Sequence, residues 1–210
     1  MNMKERAERG FDTVQAELHT ISQWMYDNPE IAYEEFETSA RLVAFLADNG
    51  FSVDYPAWGL DTSFNAVAGT EGPEVIICAE YDALPEVGHA CGHNIIATAA
   101  LGAGVALAPL AAELGVRIRV LGTPAEEEGG GKVDLFEAGA FQGAAAAMMI
   151  HPAPFDVVDK NYLAVSHIDV EFSGKESHAA LAPQLGINAL DAAVQAYNNI
   201  SMLRQTLYPT

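Results

Sequence analysis

The chain is 210 residues long, with 29 acidic and 10 basic side chains and a formal net charge of −19. Half of its residues are hydrophobic and 9% are aromatic, so the acidity sits on a chain able to pack a core rather than on a disordered one. Its close arginine pairs, Arg6/Arg9 and Arg117/Arg119, are too few to build a phosphate-binding surface, which argues against nucleic acid or an anionic membrane as partner.

In chain order, residues 4–27 and 34–48 carry helical periodicity; in the second, Phe36, Ala40, Val43 and Leu46 share a face. The Asn28-Pro29 step separates them. Short runs of strand character follow at Phe51–Tyr55, Ser63–Ala68 and the strongly apolar Val75–Ala79. An Ala-rich helix is expected over 94–113, a strand at Val116–Leu121, a short helix at Val133–Ala138 and a buried strand at Ala144–Ile150. This alternation predicts an α/β fold: a mostly parallel sheet with helices on both faces. Beyond residue 160 the pattern changes to a longer alternating strand, Tyr162–Phe172, and an amphipathic helix, Ile187–Leu203, with Ile187, Leu190, Val194 and Tyr197 on one side. Residues 1–160 are therefore expected to form one domain, and 161–210 the opening of a smaller α+β one.

Two cysteines, Cys78 and Cys91, make a disulfide framework improbable and point to a reducing compartment. The polar stretch Met1–Glu8 contains no apolar signal region. Together these predict a cytoplasmic protein. Ile95–Ala112 is uncharged but only weakly apolar, with Gly102, Gly104 and Pro109 inside it, and reads as a close-packed core helix rather than a membrane span.

Three polar clusters each follow directly on an expected sheet strand: EYDALPEVGHACGHN at 80–94, GTPAEEEGGGK at 122–132, and His151-Pro152. Parallel strands present their C-terminal ends at one edge, where α/β proteins place their sites. Asp82, His89, Cys91, His93, Glu126, Glu127, Glu128 and His151 are thereby expected to converge. Imidazole, thiolate and carboxylate are the ligand types of zinc and similar divalent ions. Taken singly, Cys91 reads as a small buried hydrophobe and His151 as a core histidine; taken together, the ligand reading wins. Neighbouring glutamates in a turn point different ways, so one can hold metal while the next acts as a base. The alternative for Glu126–Glu128 is simple loading of a helix N-terminus. The glycines before Lys132 lack phosphate-loop spacing, and the acidic residues ahead of them would repel phosphate.

The strings YDALPEVGHACGHN, GTPAEEEGGGK, MMIHP and GKESHAALAPQLGINALDAA resemble the family-twenty metallopeptidases of clan MH. The amidohydrolase branch matches best, nearest to aminobenzoyl-glutamate hydrolases and dipeptidases for unusual dipeptides. The resemblance runs from about Gly10 to the end. It implies a zinc-exopeptidase-like catalytic domain with two divalent ions (zinc, manganese or cobalt), interrupted by a lid that mediates homodimerisation. Cys91, His93, Glu127 and His151 are implied as metal ligands, Glu126 as general base and acid, and Asp82 as the aspartate that orients a ligand. His178 is implied as a lid histidine reaching the partner subunit's site to stabilise an oxyanion. Glu128 stands where the branch often has glycine. The implied substrate is a small amide: an N-acyl amino acid, aminoacyl conjugate or dipeptide. Family members are longer, and a last histidine ligand near their C-terminus has no counterpart here, so the chain is expected to correspond to the N-terminal half.

His89 is expected to make a structural hydrogen bond, and His19 and His167 to be structural. Two other readings of the residues stand beside the metallohydrolase. One is a cysteine enzyme with Cys91 as nucleophile and His93 or His89 as base, which neighbouring acids disfavour. The other is a non-catalytic chain that retains part of a metal site and assembles with a partner.

Overall fold

A computed structural model of the chain describes residues 1–158 and 168–207, in two compact units, Met1–Asp156 and Val157–Thr210. In the first unit, β1 (Ser52–Asp54), β2 (Asn65–Ala68), β3 (Glu74–Ala79), β4 (Arg117–Gly122) and β5 (Ala144–Met148) form one sheet in the order β1-β2-β4-β3-β5. β3 pairs in parallel with β4 and with β5, whereas β2 is antiparallel to β1 and β4. Only β2 therefore runs against the common direction, and the mostly parallel α/β sheet expected from the alternation is present.

Helix α4 (His93–Leu107) joins β3 to β4, and α6 (Gly131–Glu137) joins β4 to β5. The first connection steps across the sheet one way and the second steps back past β3. Right-handed crossovers then force the two helices onto opposite faces. The strands show the period of two that this requires: Ile77, Ala79, Ile118 and Val120 pack on the α4 side, while Ile76, Cys78 and Leu121 meet Leu135 of α6. Arg119 is buried on β4, where it reaches Glu74 Oε1 at 2.6 Å and the Ala140 carbonyl at 2.7 Å. Arg119 is thus consumed inside the fold, while Arg117 stays partly exposed, 3.6 Å from Glu74 Oε2.

Helices α1 (Met3–Asp12) and α2 (Gln15–Asp27) cover the outer side of α4, with α3 (Phe36–Asp48) beside them; a one-turn α5 (Ala111–Leu114) precedes β4. Burial from two sides explains the absence of charge in α4. Close approach explains its glycines: a Cβ on Gly102 would stand 2.7 Å from the Phe11 ring. The run His93–Leu114 is long and apolar enough to cross a membrane by length and composition, but here it comprises α4, the central helix of a packed unit, and the short turns that lead to β4.

Several local expectations are corrected. Residues 4–27 form two helices, because the chain turns at Thr13, whose hydroxyl bonds to the Gly10 carbonyl at 2.7 Å, so that α1 and α2 each lie against α4. In α3 the buried face is Thr38, Ser39, Leu42, Phe45 and Leu46. Phe36 is exposed, since only the face toward α4 and the sheet has a partner to pack on. β5 forms but is not buried; it is an edge strand, and Met148 is 54% exposed.

In the second unit, α7 (Ala189–Met202) starts at Asn188, whose side chain accepts a hydrogen bond from the Leu190 amide. Its apolar stripe of Leu190, Val194 and Tyr197, with Ile187 before it, is exposed. Of the expected strand Tyr162–Phe172, residues 162–167, and His167 with them, lie outside the described residues. Residues 168–172 form no strand, having no ladder partner among the described residues.

Candidate metal centre

The C-terminal ends of β4, β3 and β5 are adjacent, so the loops that leave them meet. β3 ends at Ala79 and continues as Glu80-Tyr81-Asp82. Glu80 and Asp82 are both 1% exposed, which two carboxylates tolerate only if each is matched by donors or positive charge. The Asp82 carboxylate is matched by protein: Oδ1 lies 2.9 Å from His93 Nδ1, and Oδ2 accepts from the Glu127 amide at 2.9 Å. Glu80 receives an ion pair from Lys132, in the first turn of α6, through Oε1; its Oε2 is buried with no hydrogen-bond partner.

His93 is the first residue of α4, and Gly92, at φ +89, makes the left-handed turn that starts the helix there. The imidazole is fully buried. Its Nδ1 is taken by Asp82, and its Nε2 has no hydrogen-bond partner, yet lies 3.4 Å from Glu80 Oε2, 3.6 Å from Glu127 Oε1 and 3.8 Å from Glu126 Oε2. Glu127 Oε1 is likewise buried and unpartnered. On the other side, Cys91 Sγ stands 3.4 Å from His151 Nε2, with the His93 and His151 rings edge to face at 6.2 Å. The His151 Nδ1 is 2.8 Å from the Pro152 carbonyl, which orients the ring and leaves Nε2 toward Cys91.

Two groups of potential ligand atoms result, Cys91–His93–His151 and Glu80–His93–Glu126, each with its atoms within 4.8 Å of one another. Ligands at 2.0–2.2 Å around a tetrahedral ion stand roughly 3.4 Å apart, and the separations around His93 match that spacing. The unpartnered buried atoms on His93, Glu80 and Glu127 are what a cation would satisfy, so the residues fit divalent metal.

Electrostatics agree with a site built for positive charge. Burial raises the Cys91 thiol to about 12, reinforced by Glu127, Glu126 and Glu80. Burial likewise raises Glu126, with Glu80 adding to it. For His93, burial opposes the charged form, but Asp82, Glu80 and Glu127 hold its pKa above the ordinary histidine value. For Asp82, burial is outweighed by the His93 hydrogen bond and the Glu127 amide, which hold it low. A bound cation would reverse the balance at the thiol and at Glu126.

Asp82, Cys91, His93, Glu126, Glu127 and His151 are therefore brought together. Glu126, expected as the base, is in the second group; Glu127, expected as a ligand, is in neither but has Oε1 3.6 Å from His93 Nε2, and Glu128 is exposed and in neither. His178 lies in the second unit, exposed, with Nδ1 accepting from the Ala180 and Leu181 amides at 3.2 Å. His19 is exposed on α2. The hydrogen bond expected of His89 is not made: the ring is buried among the described residues with neither nitrogen partnered, and burial, then His93, lowers its pKa to about 4. Glu80 and Lys132 were not among the expected site residues. The signal for Glu80 is its spacing of two from Asp82 at a strand end, which aims both carboxylates to one side; Lys132 has no local signal, because its partner is distant in sequence.

Residues 76–208 match the sequence profile of peptidase family M20/M25/M40. The chain is 43% identical to the Xaa-Arg dipeptidase of Mus musculus, over 99% of this chain and 52% of that protein. It is 31% identical to one of the subunits of the p-aminobenzoyl-glutamate hydrolase of Escherichia coli K12, over 88% of this chain and 43% of that protein. It therefore spans about half the length of these curated relatives. Among solved structures it is similar to the YxeP protein of Bacillus subtilis, described as a dinuclear metal-binding peptidase, with a TM-score of 0.61 and 28% identity over 68% of this chain and 44% of that one.

Proposed function

The chain belongs to peptidase family M20/M25/M40, and on that footing we propose that it carries the metal-binding half of a two-metal hydrolase. The bond cleaved is the amide of an N-acyl amino acid, an aminoacyl conjugate or a dipeptide. The observation that carries this reading is the His93 Nε2 atom, buried and unpartnered, with three glutamate oxygens within 3.8 Å and the Cys91–His151 pair alongside. The relatives' dipeptidase and aminobenzoyl-glutamate hydrolase names support the substrate class.

Cys91, His93, Glu127 and His151 would hold the ions, which supply Lewis acidity toward the scissile carbonyl and toward water. Asp82 fixes the His93 ring through Nδ1 and the Glu127 backbone through its amide, so one carboxylate orients two ligands. Glu126, partly open to solvent, takes the proton of the attacking water and returns it to the leaving nitrogen. His178 is assigned to donate to the carbonyl oxygen as charge develops on it, acting from the second unit across a homodimer. The compartment proposed is the cytoplasm, and nucleic acid and membrane are not among the proposed partners. The experiment is metal analysis of the whole protein together with Glu126→Gln. Expected are two divalent ions per subunit, EDTA-sensitive turnover, and a fall in kcat of roughly a hundredfold or more with metal retained. A metal-free active protein, or an undiminished Glu126→Gln variant, would sink the reading.

A further inference from the structure

Glu35 is fully buried at the start of α3, in a connection far in sequence from the metal-binding clusters. An acidic side chain at a helix start is favourably placed toward that helix's own first-turn amides, but Glu35 makes no such bond. The exposed amides of α3 are served instead by Glu30, whose carboxylate accepts from Glu37 N at 3.1 Å and Thr38 N at 2.7 Å. Glu35 is thereby free to reach elsewhere. Its Oε1 accepts from the Ala125 amide at 2.8 Å and its Oε2 from the Thr62 hydroxyl at 2.8 Å.

Ala125 immediately precedes Glu126 and sits at φ +57, a left-handed conformation that a residue bearing a Cβ adopts only under strain. It is fully buried, and its carbonyl accepts from the Gly131 amide at 3.0 Å. One residue beyond Glu126, the Glu127 amide is held by Asp82. The peptides on both sides of Glu126 are thus anchored by buried carboxylates, Glu35 before it and Asp82 after it. The connection that carries Glu35 is itself tied to the same loop, the Tyr33 hydroxyl lying 3.0 Å from the Gly129 carbonyl.

We propose that Glu35 is a positioning residue for Glu126: by holding the Ala125 amide it locks the left-handed turn that aims the Glu126 carboxylate at the metal centre. The inference rests on the general-base assignment of Glu126. It predicts that the acceptor oxygen matters and the charge does not, because a glutamine can still accept from Ala125 while donating to Thr62.

The test compares Glu35→Met, Glu35→Gln and Thr62→Val in the whole protein. Expected for Glu35→Met is a fall in kcat of roughly tenfold to a hundredfold, with KM and zinc affinity by calorimetry little changed and faster amide exchange at residues 125–127. Glu35→Gln should retain kcat within about threefold and keep exchange slow. Thr62→Val, a milder lesion should Glu35→Met fail to fold, should lower kcat in the same direction without altering KM. Adding Ala125→Gly to Glu35→Met should recover part of kcat, since glycine takes the turn without strain. Undiminished kcat in Glu35→Met or Thr62→Val, or a Glu35→Gln variant as impaired as Glu35→Met, overturns the inference. If Glu126→Gln is inactive while Glu35→Met is normal, positioning alone has failed. If Glu126→Gln is active, the general-base reading has failed with it.

Discussion

The Asp82 carboxylate stands 2.9 Å from His93 Nδ1 with one oxygen and accepts the Glu127 amide with the other. A buried carboxylate shared in this way fixes the tautomer and direction of the imidazole, so that Nε2 is left facing the carboxylates of the site.

Asp82→Asn keeps the shape of the side chain and removes its charge. Outer-shell substitutions of this kind weaken metal binding by roughly tenfold to a hundredfold. Calorimetric titration of the metal-free protein with zinc or manganese should show that loss with stoichiometry preserved. Unchanged affinity would mean that His93 is oriented by something else.

Lys132 neutralises Glu80, whose side chain is 2% exposed. Lys132→Met leaves a buried carboxylate without its partner and should cost about 3 kcal/mol in the metal-free protein. The Glu80→Gln/Lys132→Met double variant should regain much of this. Urea unfolding of the four proteins gives the coupling, and strictly additive losses would show that the pair is not coupled.

With its pKa raised to about 12, the Cys91 thiol is protonated in the metal-free protein at neutral and mildly alkaline pH. The sign follows from the cause: burial and neighbouring carboxylates disfavour the thiolate. At pH 8 the thiolate is a far smaller fraction than in a free cysteine. Iodoacetamide should therefore label Cys91 slowly after chelation. Rapid labelling at pH 8 would favour the cysteine-nucleophile alternative.

Gly104 lies against β4, where a Cβ would run into Val120, and Leu42 is fully buried in the core around α4. Leu42→Ala should lower stability by about 2–5 kcal/mol through the cavity it leaves. Gly104→Val should lower it by about 1–3 kcal/mol through overpacking. Chemical denaturation measures both, and a neutral Gly104→Val would mean that α4 can shift away from the sheet.

What the sequence determined by itself was the alternation of elements and the chemistry of the three loops. Period and apolar runs place β3, β4, α4 and α6 within a few residues, and parallel strands must deliver their following loops to one edge. Cys91, His93, Glu126, Glu127 and His151 were legible for that reason: the covalent order of strand and loop sets their place. The tertiary structure alone decided which groups are buried and what matches them. Nothing local in the sequence tells that Glu80 finds Lys132, that His89 has no partner among the described residues, that β5 stays exposed, or that Glu35 leaves its own helix for Ala125. Each of these depends on a contact between segments distant in the chain, where desolvation makes an unmatched polar group costly. The same desolvation turns part of a net charge of −19 from surface acidity into a set of buried carboxylates at one sheet edge.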